Sequence, residues 1–263
     1  MLLKLYQVDA FCPGVFQGNA AGVVPLDAWL PDATMQAIAM ENNQAETAFF
    51  IPAAPAEPFD FHLRWFTPVL EMDLCGHATL AAAHVLTRHM GCARDAVRFH
   101  SRSGILAVGR DGDRLVLDFP SRPGERQPVT LEVTQALGAS PAELYLARDV
   151  MAVFGSEAEV RSLSPDIGRV AALDAFAVIA TAPGDEVDFV SRFFAPKAGV
   201  PEDPATGSSH CTLTPYWADR LGKNDLHALQ LSRRGGEFFC RYLGDRVHIA
   251  GHAVTYLEGT IHV

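Results

Sequence analysis

Three short stretches of this sequence carry residues able to do proton chemistry. The first is Glu41-Asn42-Asn43-Gln44-Ala45-Glu46-Thr47-Ala48-Phe49-Phe50. Glu46 stands where a helical pattern ends at Asn42-Asn43 and an apolar strand begins, so the residues after it are expected to be buried. A carboxyl at that edge is partly withdrawn from water, which suits it to proton transfer near neutrality. By position alone an ordinary solvated glutamate at a turn is the commoner reading, since most carboxylates are exposed. The second stretch is Asp73-Leu74-Cys75-Gly76-His77-Ala78. Cysteine and histidine two apart at a helix start can form a thiolate and its neighbour, or a buried structural thiol beside a space-filling histidine. Ala81 stands at i+4 from His77, so no second metal ligand follows it, and Cys75 with His77 does not make a zinc site. The third is Glu202-Asp203-Pro204-Ala205-Thr206-Gly207-Ser208-Ser209-His210. Acids before a helix and Ser/Thr in its first turn are ordinary capping chemistry when taken alone.

The second and third stretches are not independent. Gly76-His77-Ala78-Thr79 opens an apolar run that stops at Gly91, and Gly207-Ser208-Ser209-His210, 131 residues later, opens another that stops at Gly222. Arg64-Trp65-Phe66-Thr67-Pro68 is echoed by Arg192-Phe193-Phe194-Ala195-Pro196, Ser103-Gly104 by Gly235-Gly236, and Gly112-Asp113-Arg114-Leu115 by Gly244-Asp245-Arg246-Val247. Ordered echoes at offsets of 128 to 132 imply a duplicated supersecondary unit. Cys75 then lies opposite Thr206, Gly76 opposite Gly207 and His77 opposite Ser208. Helix starts expose unpaired N–H donors and the positive dipole end, which suit a carboxylate. The expectation is that residues 73–91 and 203–222 form two buried central helices whose N-termini line one cleft between two domains.

Bulk properties fit that picture. The 263 residues include 49 % hydrophobic side chains, ample for a core in each half. A net charge of −10 argues against nucleic acid or an anionic membrane as partner. Met1 to Tyr6 is too short for a signal peptide and is interrupted by Lys4. The longest apolar run, Ala78 to Leu86, is too short to span a bilayer. Five cysteines, odd in number and without a CxxC pair, point to a reduced cytoplasmic protein.

The elements that must position these residues read as many strands around two helices. Strands are expected at 3–11, 22–26, 47–52, 59–66, 97–100, 105–109 and 114–119, with a helix opened by Pro31 and ended by Asn42-Asn43. Residues 120–128, with Arg-Pro-Gly and Gln-Pro, read as the linker. Beyond it come a helix near 130–137, strands at 150–154 and 175–182, the helix after Gly207, and strands at 228–232, 237–242, 246–250 and 253–263. No regular βαβ alternation, GxGxxG or GxxxxGK[ST] is present, so a nucleotide cofactor is not expected.

In combination, Gly18-Asn19-Ala20-Ala21-Gly22-Val23, Glu41-Asn42-Asn43 with Glu46-Thr47-Ala48-Phe49, Arg64-Trp65-Phe66-Thr67-Pro68, Asp73-Leu74-Cys75-Gly76-His77-Ala78-Thr79 and Glu202-Asp203-Pro204-Ala205-Thr206-Gly207-Ser208 resemble the PhzF-like (phenazine-biosynthesis-like) isomerases. The resemblance covers essentially the whole chain. It implies an α+β, diaminopimelate-epimerase-like fold of two pseudo-symmetric, mostly antiparallel barrels, each around a central helix, and commonly a homodimer. The domains would be residues 1–121 and 122–263, with the last strand (about 253–263) free to return to the first. The family's reaction, isomerisation of trans-2,3-dihydro-3-hydroxyanthranilate, is a proton shift without cofactor or metal, so the expected partner is a small carboxylate. By resemblance Glu46 is the proton shuttle, and His77 and Asp203 are the other polar active-site residues. Gly76, Gly207 and Ser208 contact substrate, and Asn19 lies nearby.

Two rival chemistries share these residues. Epimerases of this fold use a cysteine at both helix starts, whereas this chain has Cys75 at one and Thr206 at the other, so two-base epimerisation is disfavoured. A dehydratase with Cys75 as its single base stays open, as does a non-catalytic ligand-binding protein. A hydrolase built on Cys75 and His77 is weaker, on the ground that residues two apart at a helix start seldom face each other.

Overall fold

Strands with alternating inward residues, broken by a few apolar helical stretches, make up the computed structural model, which describes residues 1–263. In chain order the elements are β1 (Leu2–Ala10), β2 (Asn19–Pro25), α1 (Asp32–Asn42), β3 (Glu46–Pro52), β4 (Phe61–Phe66), β5 (Glu71–Met72), α2 (Gly76–Arg88), β6 (Ala96–Ser101), β7 (Gly104–Asp111) and β8 (Arg114–Pro120). There follow β9 (Glu125–Gln127), α3 (Leu131–Leu137), β10 (Glu143–Leu146), β11 (Val150–Val153), α4 (Glu157–Ser162), α5 (Ile167–Ala172), β12 (Val178–Pro183), β13 (Phe189–Ala195) and β14 (Val200–Asp203). The chain ends with α6 (His210–Leu221), β15 (Asp225–Gln230), β16 (Gly236–Tyr242), β17 (Arg246–Gly251) and β18 (Ala253–His262). The fold is mixed α+β, mostly strand. It divides into two compact units, Met1–Asp118 with Ala250–Val263, and Phe119–Ile249. No helix is long and apolar enough to cross a membrane.

In the first unit β1 pairs antiparallel with β2 and β18, β3 with β4, and β6 with β7. Two pairs are parallel, β2 with β3 and β4 with β6, and parallel neighbours need a crossover. The helices α1 and α2 supply it. Asn43, in the left-handed region at φ 49°, closes α1 by donating its N–H to the Ala39 carbonyl, and so turns the chain into β3. Every residue of α2 from Gly76 to Leu86 is buried. Ala78, Ala81, Ala82 and Ala83 let its backbone come close to β1, β2 and β3.

In the second unit β11 and β12 are parallel, as are β13 and β15, while β12 pairs antiparallel with β13 and β15 with β16. Isolated βαβ crossovers therefore exist in each unit, although the sequence showed no regular alternation, because antiparallel partners separate them. The short helices α4 and α5, capped by the Ser156 and Asp166 side chains, were not expected. They cover a core of Val160, Val170, Val178, Ala180 and Phe194. Pro215 lies inside α6 and has no N–H for the Cys211 carbonyl four residues back; the Arg122 N–H takes that carbonyl at 2.8 Å.

Two expectations need correction. The stretch 120–128 is not a plain linker, since β9 within it pairs antiparallel with β10. Gly207 and Ser208 are not the first residues of a helix. The Gly207, Ser208 and Ser209 carbonyls accept from the N–H groups of His210, Cys211 and Thr212, three residues on, and the α-helix begins only at His210.

Candidate active site

Four of the residues singled out in the sequence meet in the first unit. Gly18 (φ +62°) turns the chain into β2; a Cβ there would lie 2.1 Å from the Ala10 carbonyl oxygen, so only glycine fits. The next residue, Asn19, is 1 % exposed. Glu46 is the first residue of β3, and the turn before it is tied by Asn42 Nδ2 donating to Thr47 Oγ1 at 3.2 Å and Gln44 Nε2 donating to the Asn42 carbonyl at 3.2 Å. Cys75 occupies the N-cap of α2 in extended backbone and His77 lies in the first turn. The Thr79 hydroxyl reaches back to the Cys75 carbonyl at 2.5 Å and fixes that turn.

His77 sits in the middle of this group. Its Nε2 lies 3.0 Å from Glu46 Oε2, and neither atom makes an aligned hydrogen bond elsewhere. Its Nδ1 faces Asn19 Nδ2 at 3.2 Å and Cys75 Sγ at 3.5 Å. Residues two apart at a helix start were expected seldom to face each other, yet Cys75 and His77 do. The extended N-cap swings the thiol back over the first turn, where a fully helical residue would point away.

Burial of Cys75, and next to it the charge of Glu46, push the thiol up to about 11. Burial works against a charged His77, but the charges of Cys75 and Glu46 outweigh it and hold the imidazole well above its ordinary value of 6.5. A thiol that titrates near 11 is neutral at pH 7, so we assign the stabilisation of an imidazolium there to the Glu46 carboxylate. The Asn19 amide suits either state. Its Nδ2 donates to a bare Nδ1, and turned over, its oxygen accepts from a protonated one.

Glu46, Cys75 and His77 bring their donor atoms within 4.8 Å of one another. The thiol addresses Nδ1 and the carboxylate addresses Nε2, however, and each ring nitrogen aims its lone pair in a different direction. No single ion takes all three without the ring turning, so the arrangement suits proton movement better than coordination.

The second unit holds Asp203, Thr206, Gly207 and Ser208. Asp203 ends β14, and its Oδ2 accepts a short hydrogen bond from the Thr206 hydroxyl. Gly207 is buried and Ser208 half-buried in the turn before α6. His210 Nδ1 lies 2.9 Å from the Thr206 carbonyl, the same backward contact that Thr79 makes to Cys75. Burial pushes His210 down to about 4, so this ring is neutral and its Nδ1–H donates. Gln230, absent from the sequence reading, bonds to both Asp203 and Thr206. Its signal was available: it occupies an inward position of β15 whose other inward residues, Leu226 and Ala228, are apolar.

Comparisons with known proteins match essentially the whole chain. A family profile described as "Phenazine biosynthesis-like protein" matches residues 8–259. The chain is 50 % identical over 264 residues to an uncharacterized isomerase of Pseudomonas aeruginosa, covering all of both chains. It superposes on the crystal structure of a PhzF-family phenazine biosynthesis protein from Enterococcus faecalis with a TM-score of 0.96 at 46 % identity, over 100 % of each chain. A hydroxyproline epimerase from Agrobacterium vitis, at 11 % identity and a TM-score of 0.64 over 99 % of this chain and 92 % of its own, shares the fold alone. The chain belongs to the phenazine biosynthesis-like PhzC-PhzF family and is an isomerase of that family.

Proposed function

We propose that the protein isomerises a small carboxylate without a cofactor, by moving a proton between two of its carbons, as in the isomerisation of trans-2,3-dihydro-3-hydroxyanthranilate. The observation that carries this reading is the Glu46–His77 pair: a carboxylate and an imidazole 3.0 Å apart, with no competing hydrogen bond. Glu46 keeps 13 % of its side chain exposed against 6 % for His77, so it is the member a substrate reaches.

In this reading the Glu46 carboxylate takes a proton from carbon. The electron pair of the broken C–H bond enters the conjugated system of the substrate, and the same carboxyl returns a proton to another carbon. His77 lies against the carboxylate and steadies its charge before and after the transfer. Asn19 holds His77 from its other nitrogen. N–H donors at the start of α2, Gly76 and His77, suit a substrate carboxylate. On the family resemblance Asp203 enters as a further polar catalytic residue, and Gly207 and Ser208 as substrate contacts.

The thiol-based alternatives are weaker. Cys75 is 6 % exposed and titrates near 11, so it offers almost no thiolate at neutral pH. Thr206 stands where an epimerase needs its second thiol. Incubation of small unsaturated amino and hydroxy acids, trans-2,3-dihydro-3-hydroxyanthranilate first, in deuterated water tests the proposal. Isomerised product from the wild type, lost with Glu46→Gln, supports it. Inversion at a single stereocentre, with deuterium on that carbon alone, contradicts it.

A further inference from the structure

Gln230 is 1 % exposed at the end of β15, and a carboxamide there must find partners or leave buried dipoles unsatisfied. It finds three. Its Oε1 accepts the Thr206 N–H at 2.8 Å, and its Nε2 donates to the Asp203 carbonyl at 2.6 Å and to the Thr206 hydroxyl at 3.1 Å. The two backbone partners, one donor and one acceptor, fix which way the amide points. Turning it over would set its oxygen against the Asp203 carbonyl and its NH2 against the Thr206 N–H.

That orientation dictates the next one. A hydroxyl has a single proton, and with Gln230 donating into its oxygen, the proton is free to go to Asp203 Oδ2, the acceptor in contact with it. The polarity runs from Gln230 through Thr206 to Asp203, entirely within the second unit. Serine hydroxyls pin the backbone on either side: Ser232 Oγ donates to the Pro204 carbonyl at 2.7 Å and Ser209 Oγ to the Thr206 carbonyl at 2.8 Å.

We infer that Gln230 is a positioning residue for the isomerase: through the Thr206 hydroxyl it orients the Asp203 carboxylate, and Thr206 serves as a relay for that carboxylate and not as an acid or base. Only the kinetic consequence rests on Asp203 taking part in turnover; the relay itself does not.

The test follows the Asp203 carboxyl carbon by 13C NMR titration, which needs no substrate. Thr206→Val removes the donor and raises the Asp203 midpoint by about one pH unit, while Thr206→Ser keeps it near wild type. Gln230→Glu turns the Thr206 hydroxyl toward the new carboxylate. Its effect on Asp203 is therefore larger in the native background than in Thr206→Val, where there is no hydroxyl to turn. An unchanged midpoint in Thr206→Val overturns the inference, as does a Gln230→Glu shift of equal size in both backgrounds, which is charge repulsion alone. If Gln230→Glu does not fold, the Thr206→Val and Thr206→Ser pair decides. With trans-2,3-dihydro-3-hydroxyanthranilate as substrate, the acid limb of kcat/KM moves with the Asp203 midpoint. A shifted midpoint beside an unmoved rate profile keeps the relay and removes Asp203 from turnover.

Discussion

The two units repeat one frame and differ in what they mount on it. In the first, Arg64 clamps Glu71 through two bonds of 2.7 and 2.8 Å, with its guanidinium 5.1 Å from the ring centre of Phe66. In the second, Arg192 clamps Glu202 through bonds of 2.7 and 3.0 Å and lies 5.0 Å from Phe194. Each clamp holds the short strand that leads into a central helix. Strand register then matches positions one for one. Arg64 faces Phe49 and Arg192 faces Ala180, so Glu46, three residues before Phe49, corresponds to Ala177, three before Ala180. His77 corresponds to Ser208, and Cys75 to Thr206. The frame is symmetric, while the Glu46–His77 pair has no counterpart at the equivalent Ala177 and Ser208. The repeated parts are the ones that place a helix start, and the parts that diverged are the side chains a proton would meet.

Substitutions can break or sharpen that contrast. The largest effect outside Glu46 itself is expected at His77. His77→Asn should lower kcat roughly ten- to a hundredfold, on the scale of a group assisting acid–base transfer, whereas Ser208→Ala should change chiefly KM. Steady-state kinetics on an identified substrate check this, and equal losses of kcat at both positions would break the asymmetry. His77 also carries a pH signature. Its native value is raised above the unfolded 6.5, so the stability it contributes is complete below pH 6.5 and is lost as pH rises through the native value. The stability gap between wild type and His77→Asn should therefore narrow toward alkaline pH.

The shared frame predicts similarity instead. Arg64→Met and Arg192→Met should each destabilise the protein by about 1.5–3 kcal/mol, the scale of partly buried charged hydrogen bonds, as read by denaturant unfolding. A clearly smaller effect for one would show that the clamps are not equivalent. The smallest effect expected is acid sensitivity. Burial holds His210 in the second unit and His84 in the first down to about 4, so both are neutral in the native state. Their contribution is present above pH 6.5 and declines as pH falls from there toward 4. Gln in place of His210 should make the loss of stability across that window shallower.

Much of the frame was legible in the sequence because duplication leaves marks at fixed offsets. The echo of Arg64-Trp65-Phe66 by Arg192-Phe193-Phe194 marked a repeated segment, though not its Glu71 and Glu202 partners. The apolar run from Gly76 located the buried helix, which at Gly76–Arg88 is shorter at both ends than the expected 73–91. The same offset misplaced the start of α6, because it carried over the glycine and not the tight turn that follows Gly207. Of the site, Glu46 and His77 stood out as candidates by residue type and position, and only the family resemblance gave them roles. Their contact could not be read, since it joins the start of β3 to the first turn of α2. The approach of Cys75 to His77 was missed because spacing alone says nothing about an extended N-cap. Gln230 was missed because its partners lie 24 and 27 residues away.

The central claim is that Glu46, and not Cys75, carries the proton. Turnover of trans-2,3-dihydro-3-hydroxyanthranilate, or of whichever carboxylate the deuterium screen identifies, should be measured for Glu46→Gln and Cys75→Ala side by side. We expect kcat to fall by roughly a hundredfold or more in Glu46→Gln and to keep most of its value in Cys75→Ala. Abolished turnover in Cys75→Ala with a nearly silent Glu46→Gln would contradict the account and assign the chemistry to the thiol.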